Sequence, residues 1–158
     1  MRMKLALATA VGLLLALSAG AALADDVTAW RLFVADREQP KVTVVDALTG
    51  EALDTLTIKA PASLVRSDSG RAVFAEQGAA GAVTAIASGI SIDDHGDHGD
   101  IDIEAPKLAG VEIDGPKPSH VVDHGGTFAL FFDGDGVARI ISEKAVLEGK
   151  AEFKEVKA

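Results

Sequence analysis

The sequence has no cysteine, no tyrosine and a single tryptophan, and aromatics make up 4% of its 158 residues. Without cysteine there is no disulfide, no thiolate nucleophile and no Cys-ligated zinc. A transition metal held here would have to take imidazole and carboxylate. Few stacking aromatics and a formal net charge of -9 argue against a nucleic-acid binder, which needs a basic face. No segment after the N-terminal one is apolar enough to cross a bilayer as a helix. What is present is a chain of 48% hydrophobic residues, too apolar for wholesale disorder and of a length that suits one domain.

Residues 1–24 read as an export signal. Arg2 and Lys4 precede an uncharged apolar run from Leu5 to Leu17, and Ala22-Leu23-Ala24 has the small-x-small form of a cleavage site. The run is shorter than the ~20 residues that a membrane-spanning helix needs. Cleavage after Ala24 removes two basic residues and no acid, leaving an acidic exported protein, periplasmic in a bacterium.

The remainder repeats itself. WRLFVAD (Trp30–Asp36), GRAVFAE (Gly70–Glu76) and GTFALFF (Gly126–Phe132) are short β-rich runs. Each is followed by a turn rich in Gly, Pro or acid, and then by a second strand: KVTVVD (Lys41–Asp46), AVTAIA (Ala82–Ala87) and VARII (Val137–Ile141). Pro61–Val65 and Pro118–Val122 supply an inner strand ahead of two of these units, and Ala52–Ile58 and Leu108–Ile113 supply a fourth. A period of about 40 residues with four strands per unit predicts an all-β fold of β-propeller blades. The expected organisation is blades over residues 25–141, two to three in number, and a charged tail without blade pattern over 142–158. Closed propellers need about 4–8 blades, so the ring is incomplete.

Arg31 and Arg71 stand 40 residues apart, Arg71 and Thr127 stand 56 apart, and the 16 extra residues are SIDDHGDHGDIDIEAP, 91–106. The segment carries six acids, His95 and His98, and no Lys or Arg. Imidazole and carboxylate without thiolate suit zinc, copper or nickel, whereas calcium prefers oxygen alone. The H-x-x-H-x-D spacing makes His95, His98 and Asp100 candidate metal ligands, flanked by Gly96 and Gly99, which let the backbone fold round an ion. A solvated acidic loop is the competing reading. His120 and His124 are the other candidates. They lie about 13 Å apart along an extended strand, too far to share one metal. Topology sets His124 at the insertion's end of its blade and His120 at the opposite end, near the central channel.

WRLFVAD, PASLVRSDSGRAVFAEQGAAG, DHGDHGDIDIE and HVVDHGGTFALFFDGDG together resemble the AztD-type periplasmic zinc metallochaperones over most of residues 29–139. The resemblance implies a propeller that holds Zn²⁺ and passes it to the solute-binding protein of a zinc ABC importer, without catalysis. It implies metal-binding roles for His95, His98, Asp100 and a histidine of HVVDH, His120 or His124. Members of that family are longer, so the chain corresponds to an N-terminal fragment. The rivals are a metal-free interaction propeller and a His/carboxylate hydrolase or lyase. The sequence contains no HExxH and no nucleophile elbow in support of the latter. Intact mass of the exported protein is expected to match a start at Asp25; a mass that retains residues 1–24 would contradict the signal reading.

Overall fold

A computed structural model describes residues 29–96 and 99–157. The signal segment falls outside them. The strands β1 (Arg31–Ala35), β2 (Lys41–Asp46) and β3 (Ala52–Thr57) form a first antiparallel sheet. The second sheet has the order β4 (Ser63–Arg66), β5 (Ala72–Gln77), β6 (Ala82–Ala87), β9 (Lys107–Asp114). Between β6 and β9 the chain departs into a two-stranded ribbon, β7 (Ile90–Asp94) and β8 (Gly99–Ile103). The third sheet has the order β10 (Pro118–Asp123), β11 (Thr127–Phe132), β12 (Val137–Ser142), β13 (Lys154–Lys157).

The three sheets match the upper end of the two to three blades expected, and the second and third have four strands each. The first has three. The edge of β1 that corresponds to the β4 edge of β5 and the β10 edge of β11 has no strand paired to it among the described residues. One expectation is corrected. Residues 142–157 are not a tail without blade pattern: Glu143–Leu147 is a helical turn, α1, and Lys154–Lys157 is the fourth strand of the third sheet, running Val137↔Lys157 to Ile140↔Lys154. Every residue of KEVK is exposed, so the strand shows no apolar alternation to betray it. It is held by backbone pairing, by Arg139 Nε donating to Glu155 Oε2 at 3.2 Å, and by Phe153 under the Arg139 guanidinium.

Alternation along β5 and β6 decides the packing. Ala72, Phe74, Val83 and Ala85 point towards the third sheet and meet Phe128, Leu130, Phe132 and Ile141. Phe74 and Phe128 meet edge to face with ring centroids 4.6 Å apart. Val73, Ala75 and Ile86 point the other way and meet Val42, Val44, Leu56 and Ile58 of the first sheet. The α1 turn is capped by Ser142, whose hydroxyl accepts from the Ala145 N–H, and it drops Val146 into the core between the second and third sheets.

The buried side chains of Gln77 and Thr84 in this stack are hydrogen-bonded. Gln77, fully buried, accepts from the Lys59 and Ala60 N–H groups at 2.6 and 2.9 Å and donates to Thr84 Oγ1 at 2.7 Å. Thr84 donates in turn to Glu112 at 3.0 Å. Gln77 thus ties the chain leaving the first sheet to the middle of the second. Gln77→Ala leaves those donors without a partner and opens a void, and is expected to cost about 2–4 kcal/mol in urea unfolding. A loss within ~0.5 kcal/mol, the ordinary surface range, would show the network to be dispensable.

Candidate functional site

The inserted segment is a ribbon rather than a loop. Its register pairs Ile90↔Ile103, Ser91↔Asp102, Ile92↔Ile101, Asp93↔Asp100 and Asp94↔Gly99. Directly opposed residues share a face. One face therefore carries Ile90, Ile92, Ile101 and Ile103, and the other carries Ser91, Asp93, Asp100 and Asp102. The periodicity of two was legible in SIDD and GDIDI, but the glycines and charges drew the sequence reading towards a loop.

The root is fixed by the first sheet. The Arg31 guanidinium donates to the carbonyls of both Ser88 and Glu104, one on each leg of the ribbon. Gly89 has φ +72°, and a Cβ there would run into the Glu104 carbonyl and the Arg31 guanidinium. The Glu104 N–H closes the root on the Gly89 carbonyl at 2.7 Å.

At the tip the structure brings two predicted ligands together. His95 Nε2 lies 3.4 Å from Asp100 Oδ2, and both side chains are exposed. His98, the third predicted ligand, lies outside the described residues, as does Asp97. Among the described residues no group of three or more His, Asp or Glu is arranged to hold a metal. The described part of the site is thus an imidazole–carboxylate pair on a glycine-flanked tip, next to a face of carboxylates.

His120 and His124 do not join that pair among the described residues. His124 sits in the turn after β10, where its N–H and carbonyl pair with Thr127. Asp123, beside it, accepts from the Asp68 and Gly126 N–H groups at 2.8 and 3.0 Å. Through Asp68 that turn stands at the end of the second sheet where Ala72 pairs with Ala87, the end from which the ribbon leaves. His120, exposed on β10, acts instead on Glu76 of β5. Glu76 Oε1 is buried and finds no hydrogen-bond partner among the described residues. Burial raises the Glu76 pKa, and positive charge on His120 pulls it partly back. Sequence reasoning missed Glu76, which reads as an ordinary end to GRAVFAE.

The comparisons with known proteins bear on this arrangement. No family model matches the chain. Over 145 residues, 91% of this chain, it is 54% identical to the Zinc chaperone AztD of Citrobacter koseri. This chain is AztD-like. It spans about a third of that relative, 34% of its length. The crystal structure of Citrobacter koseri AztD superposes with a TM-score of 0.81 at 53% identity, covering 83% of this chain and 35% of AztD. The structure of apo AztD from the same organism gives 0.80 at 52% identity, over 84% of this chain and 35% of AztD. These likenesses bear out the AztD-type resemblance read from the sequence.

Because the native fold raises the Glu76 pKa, it binds that proton more tightly than the unfolded chain does. Stability therefore falls as pH rises from the ordinary value of 4.5 through the raised native value. Glu76→Gln is expected to flatten this slope and to raise the melting temperature at neutral pH. An unchanged pH profile of melting would contradict the burial of that carboxyl.

Proposed function

We propose that this AztD-like chain belongs to an exported, periplasmic zinc metallochaperone. It holds Zn²⁺ on the ribbon and passes it to the solute-binding protein of a zinc ABC importer, with no catalytic step. The observation that carries this reading is the His95–Asp100 pair at the ribbon tip, in a chain 54% identical to a protein named as a zinc chaperone.

The donor set fits the cargo. Imidazole and carboxylate are zinc ligands, and structural zinc sites close with four. His95, His98 and Asp100 offer three, and His124, at the ribbon's end of the neighbouring blade, is the preferred fourth over His120. Asp93 and Asp102, on the face of Asp100, draw in a dication and accept from imidazole N–H groups. Only neutral imidazole binds, so affinity falls in acid. Ligands on a narrow, solvent-exposed tip can be surrendered one at a time to an incoming acceptor.

Replacing His95 and His98 together by Ala is expected to abolish tight zinc binding in competition with a zinc indicator. Wild-type affinity in that variant would reduce the ribbon to a solvated acidic hairpin. Of the single variants, His124→Ala is expected to weaken zinc more than His120→Ala, by tenfold or more, since even outer partners of a metal site cost ~10–100-fold. A larger loss for His120→Ala would move the fourth ligand to the channel end of the blade.

A further inference from the structure

Arg31 opens β1, and the alternation of that strand sets where its side chain goes. Phe33 and Ala35, on the same face, pack against the core shared by the first and second sheets. Arg31 stands half-buried at the end of that face. Asp46 lies directly across on β2, with its Oδ1 taken by the Leu48 and Thr49 N–H groups. The guanidinium donates instead to two carbonyls, Ser88 from one nitrogen and Glu104 from the other. Ser88 precedes one leg of the ribbon and Glu104 follows the other. A planar fork with two donors fixes both carbonyls relative to β1, which a single ammonium cannot do. Gly89 lets the chain come this close, since a Cβ there would meet the Glu104 carbonyl and the guanidinium.

The ribbon behaves as a lever on that root. A two-stranded ribbon is marginal on its own, so its direction depends on how the root is held. Four residue steps separate the pair Ile90↔Ile103 at the root from Asp94↔Gly99 at the tip, ~13 Å of extended strand. Over that length a swing of ~10° carries the tip ~2 Å. That is the length of a zinc–ligand bond. His95 and Asp100 travel together in such a swing, since both belong to the ribbon. A ligand on another blade does not travel with them.

We propose that Arg31 is a positioning residue for zinc: by holding both legs of the ribbon it aims the tip at the ligand supplied from outside it, His124 of the neighbouring blade. The inference rests on the zinc-holding reading and adds to it a residue of the first sheet that sets the affinity. Charge alone predicts the opposite sign. Arg31 is a cation near a ribbon of carboxylates, so by electrostatics its loss would tighten the hold on a dication. Loss of aim weakens that hold.

The test is competition of the full chain with a zinc indicator at fixed pH and salt, alongside amide exchange of the metal-free chain. Arg31→Ala is expected to weaken zinc about tenfold, at the lower end of the ~10–100-fold that outer partners of a metal site cost. Arg31→Lys keeps the charge but not the fork, and is expected to stay severalfold weaker than wild type. Lys41→Ala removes a cation at the other end of the same sheet, where Lys41 pairs with Asp36, and is expected to leave zinc unchanged. In a His124→Ala background the loss from Arg31→Ala is expected to shrink severalfold, because the ligand that the clamp aims at is already gone. Without metal, Arg31→Ala is expected to speed exchange of the Glu104 N–H, which is bonded to the Gly89 carbonyl at 2.7 Å. The Phe74 N–H, in the core, is expected to keep its rate and shows that the variant is folded. Unchanged or tighter zinc in Arg31→Ala would overturn the proposal, as would an equal loss in Lys41→Ala or losses at Arg31 and His124 that simply multiply. Where Arg31→Ala fails to fold, Arg31→Lys decides, and wild-type affinity there would overturn the clamp. A wild-type chain that binds no zinc would overturn the zinc-holding reading. The Glu104 exchange would then decide the clamp by itself, an unchanged rate in Arg31→Ala overturning it and a faster one supporting it.

Discussion

Strands β5 and β6 have no solvent face. Nearly every residue along them is buried, and alternate side chains belong to different cores. A strand in that position cannot slip by one residue without moving Phe74 and Val83 into the space of Val73 and Thr84. The register of the second sheet therefore fixes where β6 ends, and with it where the ribbon leaves the sheet. The buried Gln77 and Thr84 extend the same constraint to polar groups. They satisfy the backbone of the segment entering from the first sheet, and they stay buried only because each is bonded.

The ribbon inherits its position from this stack. Ser88 and Glu104 are adjacent because β6 and β9 are paired, Ala87 against Lys107. Arg31 then reaches across from the first sheet to both carbonyls. An exposed tip on a clamped root suits the zinc-holding role proposed for the chain. The root keeps His95 and Asp100 near each other, and the exposed tip leaves both accessible to an acceptor. The outer faces of the first and third sheets are apolar, with Leu32, Val34, Val122 and Phe131 exposed. These faces match a chain that spans about a third of its AztD relative.

Much of this was legible in the sequence. Strands β1, β2, β5, β6, β11 and β12 are apolar runs bounded by turn residues, and each lies where the repeat placed it. The inner strands β4 and β10 were marked by the prolines before them and the Gly-containing turns after them. The ribbon was located as an excess of 16 residues, but its strands were not, because acids and glycine outweigh four isoleucines in any local propensity. β13 was invisible for a related reason: an exposed edge strand buries nothing and needs no pattern. Among the candidate ligands, spacing brought out His95 and Asp100, whose proximity needs only a short turn. The contact of His120 with the field of Glu76 depends on two sheets packing side by side, and no local pattern encodes it.

The account turns on whether the ribbon's imidazoles hold the metal. X-ray absorption at the zinc edge of the full chain loaded with one equivalent of Zn²⁺ reads this without a mutation. The account predicts a nitrogen/oxygen shell at about 2.0–2.1 Å with the outer-shell scattering of at least two imidazole rings. A shell of oxygen alone, with no imidazole signature, would contradict it.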